Sequence, residues 1–143
     1  LPSIDTDTVA LFQRNLPGSS SAAVSIIGHI AGESIVKFGD AGDEDIGRIR
    51  YQHADDSMDF FTNNTEAMTI TEAQRVGIGT SAPNTSAILH LSSTTRGFVP
   101  PVMTQAQRLA IGSPTAGLMV FETTTSKLWV YTGAQWEEIT SAP

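Results

Sequence analysis

The sequence predicts a mainly β fold of short antiparallel strands, with one short helix near 104–111 and a small C-terminal β cap. Short segments of alternating apolar and polar residues recur between 46 and 71, separated by turn residues at 54–56 and 63–64. This regular spacing is typical of antiparallel all-β proteins. The chain is also rich in Ser, Thr, Gly and Ala, and aromatic residues make up only 7% of it. That composition suits thin β-structure better than a thick α/β core.

The first predicted strands follow a turn or flexible link of Pro, Gly and Ser at 16–21. β-Branched residues favour a hairpin of two strands, 23–30 and 34–38, joined at 31–33. The most acidic segment is 39–45. A solvated turn is favoured there over a calcium loop, because the EF-hand spacing is absent and blocks of like charge are usually exposed.

The alternating part of the chain predicts three strands: 46–53, 57–62 and 66–71. In the second of these, alternation places Met58 and Phe60 on one face and Asp59 and Phe61 on the other. The intervening turn residues make each connection a natural hairpin.

A junction is expected next, over 75–101. Residues 76–79 form a short strand whose Gly77 and Gly79 leave one face without side chains, so that another backbone can approach closely. A second short strand follows at 88–91, and 98–101 cannot be a central strand or a helix interior because it contains two prolines.

The C-terminal cap is expected over 102–143. Thr104 and Gln107 fit a capping box that starts a helix, which ends at the Gly-Ser-Pro of 112–114. Three strands then form a meander: 117–122, 127–131 and 135–139.

Several of these stretches resemble tail-fibre and related adhesin proteins of bacteriophages. The stretches are R-V-G-I-G-T-S-A-P at 75–83 with I-L-H-L at 88–91, R-G-F-V-P-P-V-M-T-Q-A-Q-R at 96–108, and G-L-M-V-F-E-T-T-T-S-K-L-W-V-Y-T-G-A-Q-W at 117–136. Residues 38–63 are similar to repeats in the same proteins, and together the likeness spans 34–139. It implies an elongated, intertwined homotrimer in the tail fibre of a virion, outside the cell. Many such fibres carry a C-terminal self-cleaving chaperone domain, which no stretch here resembles.

The expected organisation has four parts: an N-terminal segment or linker at 1–22, a β-rich shaft or head repeat at 23–74, an interwoven β junction at 75–101, and the helix and meander cap at 102–143. Glycine-spaced short strands, proline-rich crossings and thin local cores also favour self-association. Strands shared between chains would leave few open edges and bury surface that one chain cannot.

Composition argues against several classes of function. The net charge is −7, and the eight Lys and Arg residues are scattered, so no basic stripe can follow a phosphate backbone. No apolar run approaches the roughly 20 residues of a membrane span. The absence of cysteine excludes disulfides and thiolate metal sites. Neither nucleic-acid binding nor membrane insertion is therefore expected.

The candidates for chemistry are few. His29, His53 and His90 are too far apart in sequence for one chain to preassemble a metal site, and we favour packed or surface histidines. His90 is the weak exception, because a trimer could place three copies around its axis. A glycosidase pair could be drawn only from acidic residues that any loop could supply: Asp43, Glu44, Asp45, Asp55, Asp56 and Asp59. No nucleophile elbow and no dinucleotide fingerprint is present, so we expect neither an enzyme nor a cofactor.

Trp129, Tyr131 and Trp136 are the candidate receptor contacts, because aromatic rings stack on sugar faces and anchor interfaces. The core of the cap itself is the favoured alternative use of these rings. The leading hypothesis is a trimeric tail-fibre component that attaches a phage or phage-like particle to its host by multivalent binding. A purely structural stalk or connector is the alternative, and a polysaccharide-degrading fibre enzyme is less favoured. The expected partners are other copies of the chain, fibre or baseplate proteins, and a host surface receptor such as a glycan.

Overall fold

The computed structural model describes residues 24–140. The chain divides into two units, with the boundary in the sequence between Ser92 and Ser93. The first unit carries a six-stranded sheet, and the second carries a four-stranded sheet with one short helix. The expectation of a mainly β fold with a short helix is confirmed. The predicted N-terminal segment 1–22 lies outside the described residues, as does residue 23.

The first sheet follows the chain order without crossing. Its strands are β1 (Glu33–Phe38), β2 (Gly47–Gln52), β3 (Ser57–Thr62), β4 (Thr65–Ile70), β5 (Val76–Ile78) and β6 (Leu89–Leu91). Asn63 and Asn64 both have positive φ, 51° and 56°, as the two-residue turn between β3 and β4 requires. Asparagine tolerates this conformation better than most residues, so the sequence itself specifies that hairpin.

The predicted hairpin of 23–30 with 34–38 is wrong. Residues 24–30 form no strand, and β1 pairs instead with β2, with Ile35 opposite Arg50. Backbone groups of residues 28–32 make hydrogen bonds to nearby residues instead. The Gly32 N–H donates to the His29 carbonyl, and the Gly28 N–H donates to Ser34 Oγ at 3.0 Å. Apolar β-branched content alone did not reveal that the segment lacks a partner strand.

The expectation of antiparallel strands throughout is also wrong for two pairs, because β5 pairs with β6 in parallel and so does one pair of the second sheet. The long connection from Gly79 to Ile88 returns the chain to the same end of the sheet, which a hairpin cannot do. Gly77 within β5 and Gly79 directly after it permit this return, because neither carries a side chain. A Cβ on Gly77 would collide with the Thr80 carbonyl, and one on Gly79 (φ +72°) would collide with the Ser92 carbonyl. The predicted close backbone approach is thus confirmed.

The second sheet has the order β10–β9–β8–β7. Its elements are β7 (Val102–Met103), the helix α1 (Gln105–Leu109), β8 (Met119–Glu122), β9 (Lys127–Tyr131) and β10 (Trp136–Glu138). The capping box is present, because Thr104 Oγ1 accepts from the Gln107 N–H and the Gln107 side chain accepts from the Thr104 N–H. The three-stranded meander is confirmed. The two-residue strand β7, which lies parallel to β8, was not predicted.

The register of the first sheet separates its two faces by chemistry. Residues that pair across strands point to the same side, so each row of partners belongs to one face. Two rows make up what we call the first apolar face: Ser34, Tyr51, Met58, Ile70, Val76 and Leu89, and then Val36, Ile49, Phe60, Met68, Ile78 and Leu91. The opposite side, here the first polar face, has Ile35, Arg50, Asp59, Thr69, Gly77 and His90 in its central row.

Burial in the first unit is the reverse of what a monomeric sheet shows. The buried side chains of its strands are Ser57, Asp59 and Thr69, all on the polar side of the sheet, whereas large residues of the first apolar face are exposed. Across residues 24–140, Val120 of the second unit is the one hydrophobic residue that is fully buried. Isolated exposed apolar residues are ordinary, but contiguous apolar patches mark interaction surfaces.

Candidate functional site

The second sheet also has one covered face and one open apolar face. Strand pairing places Val120, Glu122, Trp129 and Trp136 on the side that holds α1. The other side, which we call the outer cap face, consists of Val102, Met119, Phe121, Leu128 and Val130, with Glu137 at its edge. Val102 is 54% exposed and Met119 is 40% exposed. Phe121, Leu128 and Val130 of the same face are half-buried.

A buried ion pair holds the covered side of the cap together. Arg108 Nε donates to Glu122 Oε2 at 2.6 Å, and Thr125 Oγ1 donates to Glu122 Oε1 at 2.9 Å. The Arg108 side chain is 3% exposed and that of Glu122 is fully buried. The guanidinium carbon of Arg108 lies 3.9 Å from the ring centroid of Trp129 and 5.3 Å from that of Trp136. The Arg108 side chain therefore attaches helix α1 to the sheet, through the ion pair with Glu122 and through contacts with the indole rings of Trp129 and Trp136.

The structure brings the three predicted receptor residues together. The rings of Tyr131 and Trp136 pack edge to face, with their centroids 5.5 Å apart. The Arg108 guanidinium contacts the rings of both Trp136 and Trp129 and so links Trp129 to this pair. All three side chains are half-buried. The Trp129 indole Nε1 is buried and has no hydrogen-bond partner within the described residues. The rings thus contribute to the packing of the cap, and their receptor role stays a prediction.

Sequence reasoning missed Arg108 and Glu122, although a signal was available. Alternation along β8 places Glu122 on the same inward side as Val120. A charged residue at an inward position requires a partner, and Arg108 in the last turn of α1 is the cation that reaches it.

A polar cleft of about 330 Å³ lies on the first polar face. Its central residue is Asp59, which is 2% exposed. The Asp59 Oδ2 atom accepts two hydrogen bonds from Arg50, from Nε at 3.1 Å and from Nη2 at 2.9 Å. The same oxygen also accepts from Ser57 Oγ at 3.1 Å. The other carboxylate oxygen, Oδ1, accepts from Thr69 Oγ1 at 2.6 Å. Because both oxygens accept strong hydrogen bonds, Asp59 serves as the hub that joins β2, β3 and β4.

Carboxylates line this cleft, which bears on the glycosidase alternative. Asp55 and Asp59 from the predicted set line it, together with Glu66 and Glu72, which sequence reasoning did not single out. Burial, followed by the negative charge of Asp59, raises the pKa of Glu66 above its ordinary value. The hydroxyl, guanidinium and carboxylate groups could hold a hydroxyl-rich ligand. Asp59 itself already accepts hydrogen bonds from Arg50, Ser57 and Thr69.

The acidic loop 39–45 uses its carboxylates locally. Asp40 Oδ1 accepts from the backbone N–H groups of Gly42 and Asp43, and Glu44 pairs with Lys37 at 3.2 Å. Hydrogen bonds from the Asp45 backbone and then from the Asn64 side chain lower the pKa of Asp43. Asp45 lies 3.7 Å from the guanidinium of Arg48. These contacts fit the favoured interpretation of a solvated turn.

Each histidine makes a hydrogen bond of its own. His29 Nδ1 accepts from the Ala31 N–H, His53 Nε2 lies 3.0 Å from Ser34 Oγ, and His90 Nδ1 accepts from the Asn84 N–H at 3.2 Å. Within residues 24–140, no group of three or more His, Asp or Glu side chains is placed to bind a metal ion. The axial role of His90 involves three chains and stays a prediction.

Each of the two sheets thus has one side on which large apolar side chains are exposed in the described residues. Residues 77–143, from β5 onward, match a protein-family model described as "Phage tail like trimerisation region". This match supports self-association of the chain into a trimer and a component of phage-tail type in a virion. Searches of curated proteins and of solved structures gave no significant match. Over residues 24–140, every helix is too short to span a membrane.

Proposed function

We propose that this protein is a trimeric tail-fibre component that attaches a phage or phage-like particle to the surface of its host cell. The observation that carries the proposal is that the trimerisation match includes the outer cap face, on which Val102 and Met119 are exposed. Three copies held together present three equal contacts. Multivalent binding of that kind raises avidity without strong single contacts.

The receptor contact in this proposal is the cluster of Trp129, Tyr131 and Trp136. Tyrosine and tryptophan rings offer an apolar face for a sugar ring and a polar group for its hydroxyls. The three side chains are half-buried, so each retains surface for a ligand. A glycan of the host surface is the ligand class that this chemistry favours, and the role is binding without catalysis. Other fibre or baseplate proteins would then join the trimer to the particle.

The packing of both tryptophans against Arg108 favours a second candidate, a structural connector of the fibre. In that case the rings stabilise the cap, and receptor binding belongs to another part of the fibre. The two candidates differ in whether Tyr131 and Trp136 can be changed without affecting binding to cells.

The test is the binding of the fluorescently labelled 143-residue chain to a panel of bacterial strains with defined surface polysaccharides. We expect saturable binding to at least one strain, reduced at least tenfold by Tyr131→Ala and unchanged by Tyr51→Ala, the matched tyrosine of the first sheet. Trp136→Leu is the second variant, and circular dichroism confirms that each variant is folded.

Three outcomes would oppose parts of this proposal. Binding to no strain would favour the connector. Strain binding that survives both cap substitutions would place the receptor contact elsewhere. Release of reducing sugar from the purified surface polysaccharides would contradict a role without catalysis.

A further inference from the structure

We propose that the first apolar face is an interface between copies of this chain, so that the trimer contact extends upstream of the region matched to the trimerisation family. The proposal rests on the self-association part of the proposed function. The occupant is a second copy of the same sheet, and the face belongs mainly to strands that precede Gly77, outside the matched residues.

The first argument is that the connection between β5 and β6 covers the polar face of the first sheet and not its apolar face. The connection between β5 and β6 passes over the polar side, where the Thr80 carbonyl occupies the place of a Cβ on Gly77 and the Asn84 N–H donates to His90. In residues 24–92, by contrast, several large side chains of the apolar rows are exposed. A monomeric sheet would turn its apolar face toward the core and its polar face toward water. Here the arrangement is reversed, and a copy is needed to complete it.

The second argument is the extent and chemistry of the face. Across the described strands, its two rows contain no charged residue. Large side chains are exposed towards both edges of the sheet: Val36 is 41% exposed, Ile78 44%, Leu89 51% and Leu91 43%. Phe60, Met68 and Ile70 between them are half-buried. Six strands at about 4.8 Å spacing make this a continuous stripe roughly 24 Å wide. A patch of this kind marks an interface rather than scattered surface residues.

The third argument identifies the occupant as a copy. The stripe runs without interruption into β5 and β6, whose Ile78, Leu89 and Leu91 belong to the matched trimerisation region. A copy seated on these residues lies beside the same rows of β3 and β4. The chain carries a net charge of −7, so copies approach most easily through an uncharged face.

One consequence concerns His90. It alternates with Leu89 and Leu91 and therefore lies on the first polar face. An interface built on the first apolar face leaves the His90 ring on the side that faces away. A metal held by three His90 side chains on the trimer axis is incompatible with this arrangement.

The 143-residue chain contains no cysteine, so single thiols can be introduced into it for the test. Val36→Cys and Lys37→Cys are a matched pair, because Val36 is 41% exposed and the Lys37 side chain is 42% exposed in the single chain, on opposite faces of β1. Ile49→Cys adds a second position on the first apolar face. We expect a maleimide to label Val36→Cys and Ile49→Cys at least tenfold more slowly than Lys37→Cys. All three should react alike in denaturant.

A short bismaleimide then shows what covers the face. We expect it to link copies through Ile49→Cys and to leave Lys37→Cys unlinked. Fast labelling of both apolar-face positions in a chain whose solution mass is that of a trimer would overturn this inference and leave the proposed function intact. Slow labelling without links between copies would mean that the same chain covers the face, which also overturns it. A monomeric mass would overturn the inference and the proposed trimer together.

Discussion

Arg108 Nε lies 2.6 Å from Glu122 Oε2, and neither side chain has appreciable contact with solvent. A buried pair of this kind contributes little compared with an apolar pair of the same shape, but the loss of one member leaves an uncompensated charge. The pair is also the only ion pair between α1 and the sheet among the described residues. The position of the helix therefore depends on it.

The first prediction follows from this pair. Glu122→Gln removes the charge with little change in shape and should lower the free energy of unfolding by about 3 kcal/mol. Glu138→Gln is the control, because Glu138 pairs with Lys127 at the surface and such pairs contribute at most about 1 kcal/mol. Denaturant titration at fixed protein concentration measures both changes. The double variant Arg108→Met with Glu122→Leu should recover much of the loss, and equal effects of Glu122→Gln and Glu138→Gln would contradict the interpretation.

Gly79 supplies a second prediction. Its φ is +72°, and a Cβ there would collide with the Ser92 carbonyl, so Gly79→Ala should destabilise the fold by about 2 kcal/mol or more. Gly112→Ala is the matched control, because nothing lies within 4 Å of the Cβ position. Thermal unfolding followed by circular dichroism compares the two. A stable Gly79→Ala variant would mean that the connection between β5 and β6 does not pass as described.

The third prediction concerns pH and Glu66. Its pKa is raised above 4.5, first by burial and then by Asp59, so the folded chain holds this proton more tightly than the unfolded chain. Its contribution to stability therefore falls as pH rises from 4.5 through the raised pKa. Glu66→Gln should raise the Tm at pH 7 and leave it unchanged at pH 4.

Glu72→Gln controls for the Glu66 experiment, because Glu72 is an exposed glutamate that lines the same cleft. Protein concentration must be held constant in both series, since association shifts Tm by mass action. A lower Tm for Glu66→Gln at pH 7 would show that the charged carboxylate is stabilised in the folded chain.

The sequence was informative where local chemistry decides the structure. Alternation located β2, β3 and β4, Asn63 and Asn64 specified a turn with positive φ, and Thr104 with Gln107 specified the start of α1. In each case the residues that determine the feature are neighbours in the chain.

Features set by distant residues were missed. Periodicity identifies a strand but not its partner, so the parallel pairing of β5 with β6 and the isolation of residues 24–30 did not follow from it. The Arg108–Glu122 pair joins residues 14 positions apart. Alternation also shows that a sheet has two faces without showing which face the chain covers. The open apolar faces therefore became visible only in the folded chain.

The most direct test of the central claim is the solution mass of the 143-residue chain by light scattering, measured before and after treatment with a chelator. One chain has a mass of 15.2 kDa, so we expect about 46 kDa, three times that value, in both conditions. Loss of the trimer on chelation would return His90 and the acidic loop 39–45 to consideration as metal ligands. A stable mass of 15.2 kDa would contradict the trimer, and the open apolar faces would then need another explanation.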